Sequence, residues 1–277
     1  MDTQSLFGKS PKPDAKTKSK LIACGNEYDD LPMTYGLKQS KNQLRFGSSK
    51  ERFEWISQGA VDIGFISSAD FPKLKGGWTV FPGICKSSLG KSNLNLFFNK
   101  DLSDINTLAI PPNSNTSSIV LQILLKELFQ IETKIEKSSL GLESALKKYD
   151  AVLLTGNNAI KEVAKNKNKS FIDLGEDWFD LTGLPLVYGF WIGNELLVNK
   201  KDYLQISESL KSGKNSIKSI VNNISGFDNK PHLENYLSNI IKYDFGEDEK
   251  EALGEFYNYA FFYGFVDYIP DFNFLEV

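Results

Sequence analysis

Past residue 20 the chain alternates short apolar runs with stretches of helical periodicity. Residues 21–24, 60–66, 93–99, 108–110 and 151–154 read as strands, each closed by a Gly, Pro, Asn or Ser-rich turn. Residues 117–129 carry Ile119, Ile123, Leu124, Leu125 and Leu128 at helical spacing, and 50–58 present Phe53, Trp55 and Ile56 on a shorter helix. Residues 186–192 are apolar with no polar alternation, which predicts a strand buried between two layers. Beyond Trp191 the periodicity predicts helices over 203–223, 230–243 and 247–262, the last rich in aromatic residues. Strands interleaved with helices predict an α/β architecture with largely parallel sheets.

The densest local signal is the run from Asp173 to Trp191, where an acidic, tryptophan-bearing turn leads into Thr182-Gly183-Leu184-Pro185 and then the apolar strand. Gly183 reaches backbone angles closed to other residues, and Pro185 forces Leu184 into an extended shape. Trp178 and Trp191 read as core anchors.

Ligands of open α/β sheets gather at the carboxyl ends of strands. Four loops qualify: 26–37, with the acidic cluster Glu27, Asp29 and Asp30; 85–90, with Ser88 and Gly90; 113–118; and 155–159. In the third, Ser114, Asn115, Thr116 and Ser117 precede a strong helix, a pattern that supplies an N-cap and outward N–H groups for a carboxylate. Taken alone, that loop reads first as an ordinary cap facing water.

Composition narrows the chemistry. The 277 residues suffice to bury roughly 75% of the unfolded surface. The 32 basic and 35 acidic residues nearly cancel, leaving no electrostatic footprint for nucleic acid or an anionic membrane. Cys24 and Cys85 read as free buried thiols, and with His232 as the only histidine neither an imidazole–thiolate metal site nor a Ser-His-Asp triad is expected. Residues 1–20 are polar and lysine-rich without an apolar stretch behind the charges, so they read as a disordered tail on a cytoplasmic protein.

Several of these motifs together resemble the chorismate dehydratases, enzymes of the futalosine route to menaquinone. Asp173-Leu174-Gly175-Glu176, Trp178, Leu181 to Pro185 and Trp191 follow that family's signature nearly completely. Pro112, Ser114, Thr116 and Ser117 fit its Asp-Pro-Ser-Ser-Arg-Thr-Ser loop, and Cys85, Ser88 and Gly90 its Ser-x-Gly turn. Gly156 and Ala159 fit a Gly-Asp-x-Ala loop, and Tyr243-Asp244-Phe245-Gly246 resembles Tyr-Asp-x-Gly. The likeness spans almost the whole folded chain. It implies a two-lobed, periplasmic-binding-protein-like (type 2) α/β fold with a ligand cleft between the lobes. Lobe one would hold residues 21–98 and 191–277, lobe two 99–190, with hinges near 98–101 and 189–192.

The resemblance further implies a lyase that removes water from chorismate to give its enolpyruvyl-benzoate product, with no metal or redox cofactor. Asp29 stands at the position expected near the reacting centre. Ser88, Gly90, Ser114, Asn115, Thr116, Ser117 and Asn157 would contact substrate, with Thr182, Gly183 and Leu184 shaping the cleft wall. Four positions depart from the family pattern: Asp29 replaces asparagine, Asn115 arginine, Asn157 aspartate and Leu94 serine. A carboxylate ~5 Å from a substrate carboxylate costs on the order of 3 kcal/mol at an effective dielectric of ~20. A lost arginine bond costs a further ~1.5–3 kcal/mol. Lys86 and Lys91 are the candidates to compensate. These departures favour a second reading, a binding module of the same fold without turnover. A third is the naphthoate-forming enzyme of the same pathway. The exposed part of the C-terminal aromatic stretch offers a homodimer contact.

Overall fold

A computed structural model describes residues 19–165 and 169–277, so most of the expected N-terminal tail lies outside the described residues. In chain order the strands are β1 (Leu21–Cys24), β2 (Gln43–Phe46), β3 (Ile63–Ser67), β4 (Trp78–Ser88), β5 (Leu94–Phe98) and β6 (Thr107–Ile110). They continue with β7 (Lys134–Lys137), β8 (Ala151–Thr155), β9 (Phe171–Asp173), β10 (Leu186–Asn194) and β11 (Ile241–Lys242). The helices are α1 (Leu31–Thr34), α2 (Ser49–Ser57), α3 (Asn115–Glu127), α4 (Leu142–Leu146), α5 (Gly156–Lys165) and α6 (Leu174–Thr182). Four more follow β10: α7 (Lys200–Asn215), α8 (Ile217–Asn223), α9 (Lys230–Asn235) and α10 (Glu247–Phe262).

The strands form two sheets, β11-β4-β10-β3-β1-β2 and β7-β6-β8-β5-β9. Both are mixed rather than largely parallel. β10 runs antiparallel to β3 and β4, and β5 antiparallel to β8 and β9. The reason is topological: β5 and β10 are the strands on which the chain arrives from the other sheet, and each arrives reversed. This also moves the crossing points. Residues 94–98, expected in lobe one, pair in the second sheet, and 186–190, expected in lobe two, pair in the first. The chain therefore crosses through 89–93 and 183–185 instead of 98–101 and 189–192.

β10 is buried between two apolar layers. Phe190 and Ile192 pack with the core that includes Phe256 and Tyr257 of α10, while Trp191 faces the core of Ile22, Phe65 and Phe81. A strand covered on both faces has no solvent side on which to place polar residues, hence the missing alternation. The stretch expected to be an acidic turn is instead helix α6. Asp173 caps it by accepting from Gly175 N at 3.0 Å, and Trp178 is fully buried, with Nε1 donating to the Pro185 carbonyl. The helix expected over 203–223 breaks at Ser216, and that over 230–243 ends in a widened turn that frees Ile241 and Lys242 to pair with β4. The C-terminal aromatics mostly pack inward: Phe272 stacks on Phe71, Phe274 lies edge-on to Phe245, and the chain is pinned by Val80 N to Asn273 O at 2.7 Å. Phe261 and Phe262 on α10 stay exposed.

Two helical glycines test this packing. A Cβ on Gly213 of α7 would lie 1.9 Å from the Pro32 carbonyl oxygen, a backbone atom of α1, whereas one on Gly254 of α10 meets nothing. Gly213→Ala is expected to destabilise the protein by about 1–3 kcal/mol. Gly254→Ala should stabilise it by about 0.5–1 kcal/mol. Urea midpoints of the two variants check both signs.

Candidate functional site

The loops at the carboxyl ends of β1, β4, β6 and β8 meet at a cavity of about 520 Å³ between the two sheets. Its walls include Glu27, Asp29 and Asp30 from the first loop, Arg52 of α2, Lys86 of β4 and Tyr188 of β10. The second sheet contributes Asn93 and Leu94, the 111–117 turn, Asn157, Asn158 and Lys161.

Lys86 organises the first-sheet side. Buried with only 8% exposure, its Nζ donates to Asp29 Oδ1 at 2.7 Å and Asp30 Oδ1 at 2.8 Å. Asp29 Oδ2 accepts from Asn93 Nδ2 at 3.1 Å and Tyr236 Oη at 2.9 Å, and Tyr243 Oη donates to the Asp29 carbonyl. Burial alone would raise the Asp30 pKa. Lys86 and Arg52, aided by the Glu27 amide, override it and hold the carboxyl below the usual range. Burial works against the charge on Lys86 too, but the two carboxylates raise its pKa above the ordinary lysine value. Asp29 thus reaches the cavity, as expected, but inside a completed ion-pair network. Lys86 is committed to that network and Lys91 is exposed on the surface, so neither compensates for the lost arginine. Arg52 and Lys161 are the cavity-lining cations with no carboxylate partner among the described residues. Arg52 is braced by bonds from Nε to the Phe65 carbonyl and from Nη1 to the Gly47 carbonyl. Sequence reading missed both. The pointer available was Arg52's place behind the Ser48–Glu51 capping box, in a chain with two arginines.

Helix α3 opens onto the cavity without a side-chain cap. Ser114 Oγ turns away to donate to the Pro111 carbonyl, and Ser118 N is the first amide bonded back, to Ser114 O. The amides ahead of it point out of the helix end, as the loop composition predicted, and favour an anion. The side chains there are otherwise engaged. Thr116 Oγ1 is hydrogen bonded to Ser67 Oγ at 2.7 Å and accepts from Ala69 N, and Asn115 Nδ2 donates to Asp70 Oδ1 at 2.7 Å. Ser117 lines the cavity behind them.

The first turn of α5 is clasped by the first loop. Asn157 N donates to Glu27 Oε2, and Tyr28 N donates to Asn157 Oδ1, both at 2.7 Å. Gly156, at φ +56°, lets the carboxylate come this close, since a Cβ there would lie 2.8 Å from Glu27 Oε2. Burial pushes the Glu27 pKa up. The Asn157 amide and Lys86 oppose that rise, and Asp29 and Asp30 add to it. Asparagine at 157, where the resembled family has aspartate, avoids a second carboxylate against Glu27.

Not every expected residue arrives. Ser88 is buried behind the wall, hydrogen bonded to Tyr188 Oη at 2.7 Å. Gly90, at φ +71°, shapes the crossing segment, where its carbonyl abuts Gly175. Thr182, Gly183 and Leu184 form the C-terminal cap of α6 and lie outside the cavity lining: Gly183 takes the left-handed conformation and Thr182 Oγ1 bonds Trp178 O and Leu184 N. A conspicuous turn marked a helix stop, not a ligand wall. His232 sits on α9, away from the cavity lining. Cys24 and Cys85 are buried free thiols, and burial pushes Cys24 up to about 12, which leaves it unreactive.

Two substitutions probe these networks. Lys86→Met strands two buried carboxylates and should cost about 3–5 kcal/mol. In the wild type Asp30 has a depressed pKa, so its stabilisation is full above the ordinary carboxylate range and lost as pH falls through the depressed value. In the variant Asp30 loses the charge that chiefly held its pKa down while its burial remains, so the deficit should shrink on acidification. Denaturant titrations across pH test this reversal. Asn157→Asp should destabilise by about 1–3 kcal/mol, and a double-mutant cycle should show most of that loss removed in a Glu27→Gln background.

Among known proteins, the family model described as menaquinone biosynthesis matches residues 21–261. The chorismate dehydratase of Thermus thermophilus is 31% identical over 152 residues, covering 49% of this chain and 55% of that protein. The chain thus spans about half the length of that relative. A protein of Archaeoglobus fulgidus superposes with a TM-score of 0.69 at 14% identity, over 91% of this chain and 100% of its own. The periplasmic aliphatic sulphonate binding protein SsuA of Escherichia coli gives 0.60 at 12% identity, over 91% and 95%. A Candida albicans protein with the generic periplasmic binding protein fold gives 0.63 at 11% identity, over 94% and 98%. The fold is the two-lobed α/β fold of periplasmic binding proteins, and the chain belongs to the menaquinone biosynthesis family.

Proposed function

We propose that this protein is a chorismate dehydratase-like lyase, which removes water from the chorismate ring to leave the aromatic enolpyruvyl-benzoate. The observation that carries the reading is the convergence of the 26–30, 111–117 and 155–158 loops on one polar cavity, in a chain of this family. A volume of about 520 Å³ falls within the range of small-molecule pockets, roughly 300–1,000 Å³. One substrate carboxylate would lie against the open amides of α3, and the second near Arg52 and Lys161. Like-charge repulsion from Asp29 is offset because Lys86 already stands 2.7 Å from it. Holding both carboxylates fixes the ring, so that the hydrogen and hydroxyl to be lost face the first loop. A cytoplasmic setting, in which Cys24 and Cys85 stay free, goes with this reading.

A second reading, a small-carboxylate binding protein without turnover, is favoured by one specific feature. Three side chains where the resemblance expects substrate-facing polar groups are committed or apolar: Asp29 to Lys86, Asn115 to Asp70, and Leu94 in the wall. Incubating the purified protein with chorismate and following loss of substrate and gain of aromatic product separates the two. Turnover is expected. Calorimetric binding without product would establish the second reading, and neither binding nor product would remove both.

A further inference from the structure

The chain has two arginines, and their surroundings differ. Arg45 is exposed and lies over the Trp55 ring at 3.9 Å. Arg52 is buried in the cavity wall at 6% exposure, one turn inside α2 from the Ser48 cap. Its Nε donates to the Phe65 carbonyl of β3 at 2.9 Å, and its Nη1 to the Gly47 carbonyl at 2.8 Å. Both acceptors are neutral main-chain groups, so they fix the guanidinium plane and leave its charge unmatched. The field of Arg52 reaches Asp30, but the Asp30 oxygens are taken by Lys86 and the Glu27 amide. A buried charge is ordinarily paired. Nη2 donates to no group among the described residues, and yet it is not an enclosed atom. It therefore meets open space, and the space that Arg52 borders is the cavity.

We propose that Arg52 is the specificity-determining residue of this cleft: it reads one carboxylate of the ligand, in place of an arginine at 115, and makes the site selective for dicarboxylates. This deepens the reading of the cavity as a dicarboxylate site and rests on it. Asn115 is neutral and bound to Asp70, so it supplies no charge to a ligand. The two anion-seeking groups belong to opposite sides of the cleft. Arg52 rides on α2, which packs on β1 and β3 of the first sheet, while the open amides of α3 follow β6 of the second. A single carboxylate satisfies one of them, and a compact ring bearing two carboxylates satisfies both. Lys161, the other cavity cation without a carboxylate partner, is the poorer reader. Its ammonium makes no hydrogen bond among the described residues and stands over the Tyr28 ring, 5.6 Å from the centroid. A braced planar fork meets a carboxylate with little freedom left to lose, whereas a flexible ammonium must first be ordered. Discrimination between one carboxylate and two, a difference of affinities, therefore falls to Arg52.

The test is calorimetric, on the full-length protein, with isophthalate as a ring bearing two carboxylates and benzoate as a ring bearing one. Wild type should bind isophthalate about 10–100-fold more tightly than benzoate, the worth of one charge-assisted contact. In Arg52→Gln the preference should collapse, because isophthalate affinity falls by about that factor while benzoate, held by the α3 amides, keeps its own. Arg52→Lys retains the charge without the fork and should recover only part of the preference. Lys161→Gln should leave the preference close to that of wild type. A wild type without the preference overturns the assignment. So does a preference that survives Arg52→Gln, a loss shared equally by benzoate, or a greater loss in Lys161→Gln. Should melting curves show Arg52→Gln unfolded, Arg52→Lys carries the comparison, and an undiminished preference there overturns the assignment as well. Chorismate turnover, followed in parallel, keeps the two readings apart. A preference that depends on Arg52 in a wild type without turnover sinks the lyase reading alone. Turnover in a protein whose preference is indifferent to Arg52 sinks this assignment alone.

Discussion

A single buried ammonium holds the site together. Lys86 sits between Asp29 and Asp30 in a place where any of the three charges alone would be prohibitively costly. Because the lysine comes from β4 and both aspartates from the loop after β1, the pairing locks that loop over a sheet in which the two strands are not neighbours. The orientation of Tyr28, and through it the contact with α5, follows from that lock. So does the position of Glu27. Removing the cation would disturb the cleft geometry together with stability.

The departures from the family pattern come with physical partners. Asp29 is matched by Lys86, the Asn157 side chain accepts from Tyr28 N, and Asn115 donates to Asp70. The added carboxylate of Asp29 is thus neutralised inside the protein, whereas the charge of the lost arginine is not replaced at position 115. Leu94 is different: it places an apolar side chain in the wall where the pattern has a hydroxyl.

Much of the fold was legible in the sequence because burial writes a strong local pattern. β10 lacked alternation because it is covered on both faces, α3 showed its apolar stripe, and Trp178 and Trp191 are core. Strand direction was not legible, since nothing in the periodicity of β5 or β10 records which sheet it enters. At the site, polar loops after strands pointed to this cavity, whose walls include Asp29, the 114–117 turn and Asn157. Thr182-Gly183-Leu184-Pro185 misled because a helix stop and a ligand turn use the same residues. Lys86, Arg52 and Glu27 owe their roles to partners far along the chain or across the cleft, and local spacing carries no trace of such partners.

The crossing segments are short and firmly anchored. Ser88, where β4 ends, lies opposite Leu186, where β10 begins, and opposite Ile241 of β11. The ladder therefore grips the chain up to the residue at which it departs, and only 89–93 and 183–185 are left as links. Two short tethers anchored side by side leave little slack between the sheets, and one apolar core runs across both. Little configurational entropy is then spent on connectors when a guest binds, so affinity reflects the contacts made inside and not the cost of ordering long links.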